Sequence, residues 1–196
     1  YEFMENSFTE NIKKNKDALT KILENEKYKK IFDDLVAVSI NSLRSGGSIF
    51  IAGNGGSASQ ADHFAGELVG RFFIEGESLK AFSLNSNSTI ITCIANDFSY
   101  NEIFSQQLSG QLHENDLFIG ISTSGRSKNI IKAIEYCNFQ GNNTILLTGD
   151  YDTEITSNKN LIFKVPSTNT PTIQEVHIIL LHSLAEEIEK TLRRQK

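Results

Sequence analysis

Cysteine is scarce in this chain. Cys93 and Cys137 are the whole supply, and both sit in apolar helical contexts. Two buried thiols are the plain expectation. No run of Lys or Arg occurs, and the net charge is −5. That balance argues against nucleic acid or an anionic membrane as partner. No apolar stretch approaches a membrane span, and no signal-peptide pattern opens the chain, so a cytoplasmic location is expected. Gly-Lys-Ser and Gly-Lys-Thr are absent, which excludes a P-loop. Gly53-x-Gly55-x-x-Ala58 loosely fits a dinucleotide turn. No acidic residue follows the second strand to hold a ribose, because Leu84 is followed by Asn85-Ser86-Asn87. Repeats, linkers and low-complexity segments are also missing. The 196 residues therefore read as one domain, 1–196, with Tyr1-Glu2-Phe3 before Met4 set aside as an expression scar.

What is present alternates between two periodicities. Residues 5–44 carry apolar side chains at helical spacing, with Glu24-Asn25-Glu26 as the break between two helices. The second of these is apolar on more than one face, which points to burial against a sheet or a partner subunit. Strands are expected at 48–52, 80–84, 117–121, 144–148 and 161–165. Helices are expected from Ser57 to about Val69, over 86–95, over 101–112, over 127–139 and from Pro171 to about Leu192, with a turn or short helix over 152–157. Strand–helix alternation implies an α/β fold. It is a three-layer sandwich with an open five-stranded parallel sheet flanked by helices and preceded by two N-terminal helices.

Two strand ends are chemically distinctive. Gly53-Asn54-Gly55-Gly56 leads from the first strand into a helix, with Ser57 as its expected N-cap. Such a turn presents free backbone N–H groups to an anion. On that helix His63 and Glu67 are four residues apart and share a face. A tight turn with a solvated His and Glu is the plain alternative. After the third strand, Ser122-Thr123-Ser124-Gly125-Arg126-Ser127 places four hydroxyls ahead of a helix. Hydroxyls and helix amides together satisfy the acceptors of a phosphate without fixed charge. Ligands of open parallel sheets bind beyond the carboxyl ends of strands, so the two turns share one site. The hydroxyl loop suits the phosphate.

The last helix carries Gln174, Glu175, His177 and His182. His177 and His182 are five apart, roughly 140° round a helix, and cannot both face one site. His182 lies among Ile178, Ile179, Leu180, Leu181 and Leu184, so burial or an interface is expected for it.

Together these segments resemble the sugar isomerase (SIS) domain family of phosphosugar-binding proteins, and within it the phosphoheptose isomerases. The resemblance runs through Gly53-Asn54-Gly55-Gly56-Ser57, residues 62–71 from Asp62 to Arg71, Ala95-Asn96-Asp97, Ser122-Thr123-Ser124-Gly125 with Ser127, and Gln174-Glu175-Val176-His177 with His182. It implies that Asn54, Gly55, Gly56 and Ser57 line the sugar site, and that Asn96 and Asp97 contact the sugar. It implies that Ser122, Thr123, Ser124 and Ser127 hold the phosphate. His63, Glu67, Gln174 and His182 would bind one zinc ion per subunit, with Gln174 also lining the substrate site. Glu67 and His182 would be the acid/base pair. The implied reaction converts sedoheptulose 7-phosphate to D-glycero-D-manno-heptose 7-phosphate through an enediol, for lipopolysaccharide core or capsule. The implied assembly is a homotetramer with active sites between subunits, residues 5–44 serving its contacts. Gln174 and His182 lie about 12 Å apart along an unbroken helix. One ion therefore meets both only if the side chains converge, the helix bends, or one donor comes from another subunit. A non-catalytic phosphosugar-binding regulator or interaction module, and an isomerase of pentulose phosphates, are the other readings. The presence of Glu67 and His182 favours an enzyme, and the stretch from Gln174 to His182 favours the heptose substrate.

Overall fold

The computed structural model describes residues 6–155 and 160–193. The expectations for Tyr1-Glu2-Phe3 and for positions 156 and 157 lie outside the described residues. Two helices open the chain, α1 (Ser7–Leu23) and α2 (Glu26–Arg44). The side chain of Asn25 accepts from the Lys27 N–H and caps α2, so the expected break forms where the capping residue stands. Then follow β1 (Ile49–Gly53), α3 (Gly56–Val69), β2 (Ala81–Ser83), α4 (Ser88–Asp97), a 3₁₀ turn (Tyr100–Glu102) and α5 (Ser105–Gln111). The chain continues with β3 (Leu117–Ile121), α6 (Lys128–Gln140), β4 (Asn143–Thr148), β5 (Asn160–Lys164) and α7 (Thr170–Leu192).

All strand pairings are parallel, and the order is β2-β1-β3-β4-β5. Successive strand side chains point to opposite faces. Ile49, Ile51, Leu117, Ile119, Ile145 and Leu147 therefore join one core with α2, α3 and α7. Phe50, Ala52, Phe118 and Leu146 join the other with α5 and α6. The expected three-layer α/β sandwich is what forms. Its order reverses between β1 and β3, which makes the crevice at their carboxyl ends the switch point of the sheet. The glycine turn leaves β1 there and the hydroxyl loop leaves β3 there. The buried stripe of α3 is Ala61, Phe64, Ala65 and Leu68. Burying each of its two large side chains contributes about 1.5–3 kcal/mol, and His63 and Glu67 are left outside that stripe.

Four local expectations are corrected. Ser57 is not the N-cap of α3: Gly55 is, at φ 56°, and no side chain caps the helix. A glycine tolerates that angle, so the cap lies two residues earlier and Ser57 is buried inside the first turn. The helix expected over 101–112 is split, because Ser105 Oγ donates to both the carbonyl and the carboxylate of Glu102 and competes with the backbone ladder. The helix expected over 86–95 runs to Asp97, capped by Asn87, so Asn96 and Asp97 are in its last turn rather than in a break. Cys137 is buried, but Cys93 is exposed, because α4 buries none of its residues. Periodicity marks which face of a helix is apolar, and cannot say whether a neighbour covers it. Among the described residues no helix is long and apolar enough to cross a membrane.

Candidate active site

The glycine turn is held from three sides. Asn85, at the end of β2, accepts from the Gly53 N–H at 3.0 Å and donates to the Gly53 carbonyl at 2.9 Å. Asn54 and the buried Asn129 exchange side-chain hydrogen bonds of 2.9 and 2.8 Å. Tyr100 donates its hydroxyl to Asn54 Oδ1 at 2.8 Å. Asn129 belongs to the first turn of α6, so this amide pair joins the glycine turn to the hydroxyl loop. Gln174 reaches the turn from α7. A Cβ on Gly56 would stand 2.7 Å from its Nε2, and Gln60 donates to its carbonyl at 2.6 Å.

In the hydroxyl loop Ser122 and Ser127 hydrogen-bond through their side chains at 2.8 Å, and the Ser127 N–H donates to Ser122 Oγ at 3.4 Å. The Arg126 N–H donates to Ser124 Oγ at 3.3 Å. Thr123 is tied by its carbonyl to the Gly149 N–H at 2.9 Å. Ser122 is buried, whereas Thr123, Ser124 and Ser127 are half-buried. Ser127 is the N-cap of α6 but makes no side-chain bond to its amides. The helix start thus keeps donors for a bound anion.

A third group lies across α3 and α7. His63 and Glu67 on α3 meet His182 on α7, with candidate ligand atoms within 4.8 Å of one another. His63 Nε2 is 2.9 Å from His182 Nε2 and 3.1 Å from Glu67 Oε1. Glu67 and His182 are half-buried and His63 is exposed. The Phe72 ring stacks on the His182 imidazole with centroids 5.5 Å apart at 26°. Two imidazole nitrogens and a carboxylate oxygen form a donor set that zinc accepts. Gln174 and His182 stand on one unbroken helix, α7.

Asn96 and Asp97 hydrogen-bond locally. Asn96 donates to Asp97 at 2.9 Å, and the Cys93 thiol donates to Asp97 at 3.5 Å. Neither residue hydrogen-bonds to the three groups above among the described residues. Their segment touches the site through Tyr100. His177 faces the core, fully buried, with Nε2 donating to the Thr148 carbonyl at 3.3 Å. Burial pushes its pKa down to about 4, and the Thr148 bond opposes that only in part. The separation of His177 from His182 expected from helix geometry is therefore realised.

Comparison with known proteins agrees with this architecture. The SIS domain family model matches residues 9–149. Phosphoheptose isomerases from Aneurinibacillus thermoaerophilus and Helicobacter pylori strain P12 are 40% and 42% identical to the chain. The first alignment covers 89% of this chain and 88% of the relative, the second 89% and 90%. The chain belongs to the phosphoheptose isomerase family of SIS domain proteins. Among solved structures, the phosphoheptose isomerase from Neisseria gonorrhoeae superposes with a TM-score of 0.80 at 31% identity, covering 92% of this chain and 94% of that one. The one from Francisella tularensis gives 0.89 at 26% identity, covering 93% and 96%.

Sequence reasoning missed four contributors to this phosphoheptose isomerase site: Asn85, Tyr100, Asn129 and Phe72. An Asn directly after a short strand and another two residues after the serine loop were visible signals. Phe72 gave none, since its partner lies 110 residues away on α7.

Proposed function

We propose that this phosphoheptose isomerase interconverts sedoheptulose 7-phosphate and D-glycero-D-manno-heptose 7-phosphate, supplying heptose for lipopolysaccharide core or capsule. The observation that carries the reading is the meeting of His63, Glu67 and His182 across α3 and α7, in a chain whose hydroxyl loop lies at the switch point. A regulator that only binds a phosphosugar needs the loop but has no use for that group.

The phosphate sits on Ser122, Thr123, Ser124 and Ser127 and the amides opening α6. Hydroxyl and amide donors fix it without a counter-charge, and this distant grip orients the reacting carbons. Asn54, Gly55, Gly56, Ser57 and Gln174 line the sugar chain, and Asn96 and Asp97 approach it from α4. Glu67 removes the proton from C1 of the ketose and returns it to C2. His182 moves a proton between the oxygens on C1 and C2, so the enediol forms and collapses without net loss of protons. A zinc ion, when bound, supplies Lewis-acid polarisation of the carbonyl. His63, Glu67 and His182 would hold it, with Gln174 the fourth donor by family resemblance. Glu67 has a second oxygen and His182 a second nitrogen, so donation to a metal leaves each an atom for proton transfer.

The reading includes one SIS domain over the whole chain, because α7 at its far end supplies His182. It includes a homotetramer with sites between subunits. Phe8, Ile12 and Leu23 on α1 and Ile179 on α7 are exposed. A groove of about 380 Å³ beside them is lined by Leu19, Leu23, Phe32, Val176, Ile179 and Leu180. Such a face fits subunit contact. Two free thiols, one of them exposed, fit a reducing cytoplasm.

The test is conversion of sedoheptulose 7-phosphate to the aldose by wild type, Glu67→Gln and His182→Ala. Wild type turns over and both variants lose most activity. A wild-type protein inert with and without added zinc removes the reading.

A further inference from the structure

Seven residues beyond His182, α7 grips the segment that leaves α3. Glu189 is fully buried, and its carboxylate accepts three consecutive backbone N–H groups. These are Phe72 at 3.0 Å, Phe73 at 2.8 Å and Ile74 at 3.0 Å. Arg193, one turn further on, pairs with Glu189. Its guanidinium also donates to the carbonyls of Leu68 at 2.8 Å, Gly70 at 2.9 Å, Ile74 at 3.2 Å and Glu77 at 3.2 Å. Its aliphatic stem packs on Gly76, where a Cβ would come within 2.9 Å of Arg193 Cγ. Residues 70–77, which contain no helix or strand, thus hang on two side chains of the helix that carries His182.

One side chain of this strap, that of Phe72, is set against the catalytic group. Phe72 stacks on His182, while its neighbour Phe73 is exposed. A buried ion pair adds little net stability over apolar residues of the same shape. It does fix geometry when every polar atom is satisfied, as these are. The carboxylate stays ionised for the same reason: burial raises its pKa, but the three N–H bonds and Arg193 outweigh that and hold it below the usual range.

We propose that Glu189 and Arg193 are positioning residues for catalysis, acting through Phe72, whose ring holds the His182 imidazole in the orientation that faces His63 and Glu67. The kinetic side of this inference rests on His182 being the proton carrier. The orientation itself does not.

The experiment therefore has two arms on the whole purified protein. In the first, the four histidines are isotope-labelled and the His182 ring resonances are assigned with His182→Ala. Phe72→Leu removes the ring current and moves those resonances downfield, Phe72→Tyr leaves them in place, and Glu189→Gln moves them downfield. In the second, kcat and KM are measured on sedoheptulose 7-phosphate. Phe72→Leu and Glu189→Gln lower kcat about tenfold or more, with KM within about twofold, as expected for a misplaced catalytic group. Phe72→Tyr restores kcat. Phe72 is half-buried and its Leu variant will fold, so the test survives if Glu189→Gln does not. Unchanged His182 resonances in Phe72→Leu, or an unchanged kcat with raised KM, overturn the proposal. A wild type without turnover overturns the isomerase reading instead, and the resonance arm still decides the positioning.

Discussion

Asn54 and Asn129 face each other through their side-chain amides, each donating to the other. One follows β1 and the other lies in the first turn of α6, so a single reciprocal pair couples the glycine turn to the hydroxyl loop. Asn129 is 2% exposed. Removing it strands the Asn54 Nδ2 and frees the glycine turn from α6. Asn129→Ala is expected to cost about 1–3 kcal/mol of stability and to raise KM for the sugar phosphate about tenfold, equal to about 1.4 kcal/mol of binding. Urea unfolding and steady-state kinetics measure the two effects. An unaltered KM in a stable Asn129→Ala protein would show that the pair is structural alone.

Two glycines of the same turn are predicted to fail differently. A Cβ on Gly53 would stand 2.5 Å from the Ser57 carbonyl oxygen, which is backbone and cannot step aside. A Cβ on Gly56 would meet the end of the Gln174 side chain, which can. Gly53→Ala is expected to destabilise the fold by about 2 kcal/mol or more. Gly56→Ala should stay within about 1 kcal/mol of wild type in stability but lose activity as Gln174 is displaced. Thermal melts and the isomerase assay side by side separate these outcomes; equal melting temperatures for both variants would refute the distinction.

The succession of strands and helices along the chain and the two special turns were legible in the sequence because both depend on local patterns. Apolar runs of five residues alternate with helical spacing, and glycine and serine cluster where strands end. The contacts that assemble the site were not legible from local patterns, and only the family resemblance grouped His182 with His63 and Glu67. His63 and Glu67 are neighbours on one helix, yet their meeting with His182 depends on how α7 crosses α3. The N-cap at Gly55 rather than Ser57 depends on a backbone angle that glycine permits but does not announce. Cys93 reads as buried because its neighbours are apolar, and only the packing of α4 shows that nothing among the described residues covers it.

Metal binding is predicted to follow the three donors that meet. Protein purified without chelators should contain zinc in about one-to-one ratio to chain, measured by elemental analysis. His63→Ala should lose it, since one imidazole of a three-donor set is gone. Gln174→Ala should retain it if His63, Glu67 and His182 suffice, and lose it if Gln174 is a donor of comparable weight. Metal-free wild type purified from zinc-replete cells would count against any resident ion.

His177 links stability to pH. It is fully exposed to protons only in the unfolded chain, where its pKa is near 6.5, and burial takes it down to about 4 in the fold. Between these values the unfolded chain binds a proton that the folded chain does not. The stability it allows is therefore fully present above about pH 6.5 and is lost as pH falls toward 4, by up to about 3 kcal/mol. His177→Gln keeps a donor for the Thr148 carbonyl and has no such proton to bind. Urea unfolding from pH 4 to pH 7 should show a shallower slope for His177→Gln than for wild type over that window, wild type losing up to about 3 kcal/mol more than the variant by the acid end. Parallel slopes would mean that His177 is protonated as readily inside the fold as outside it, which its full burial against β4 argues against.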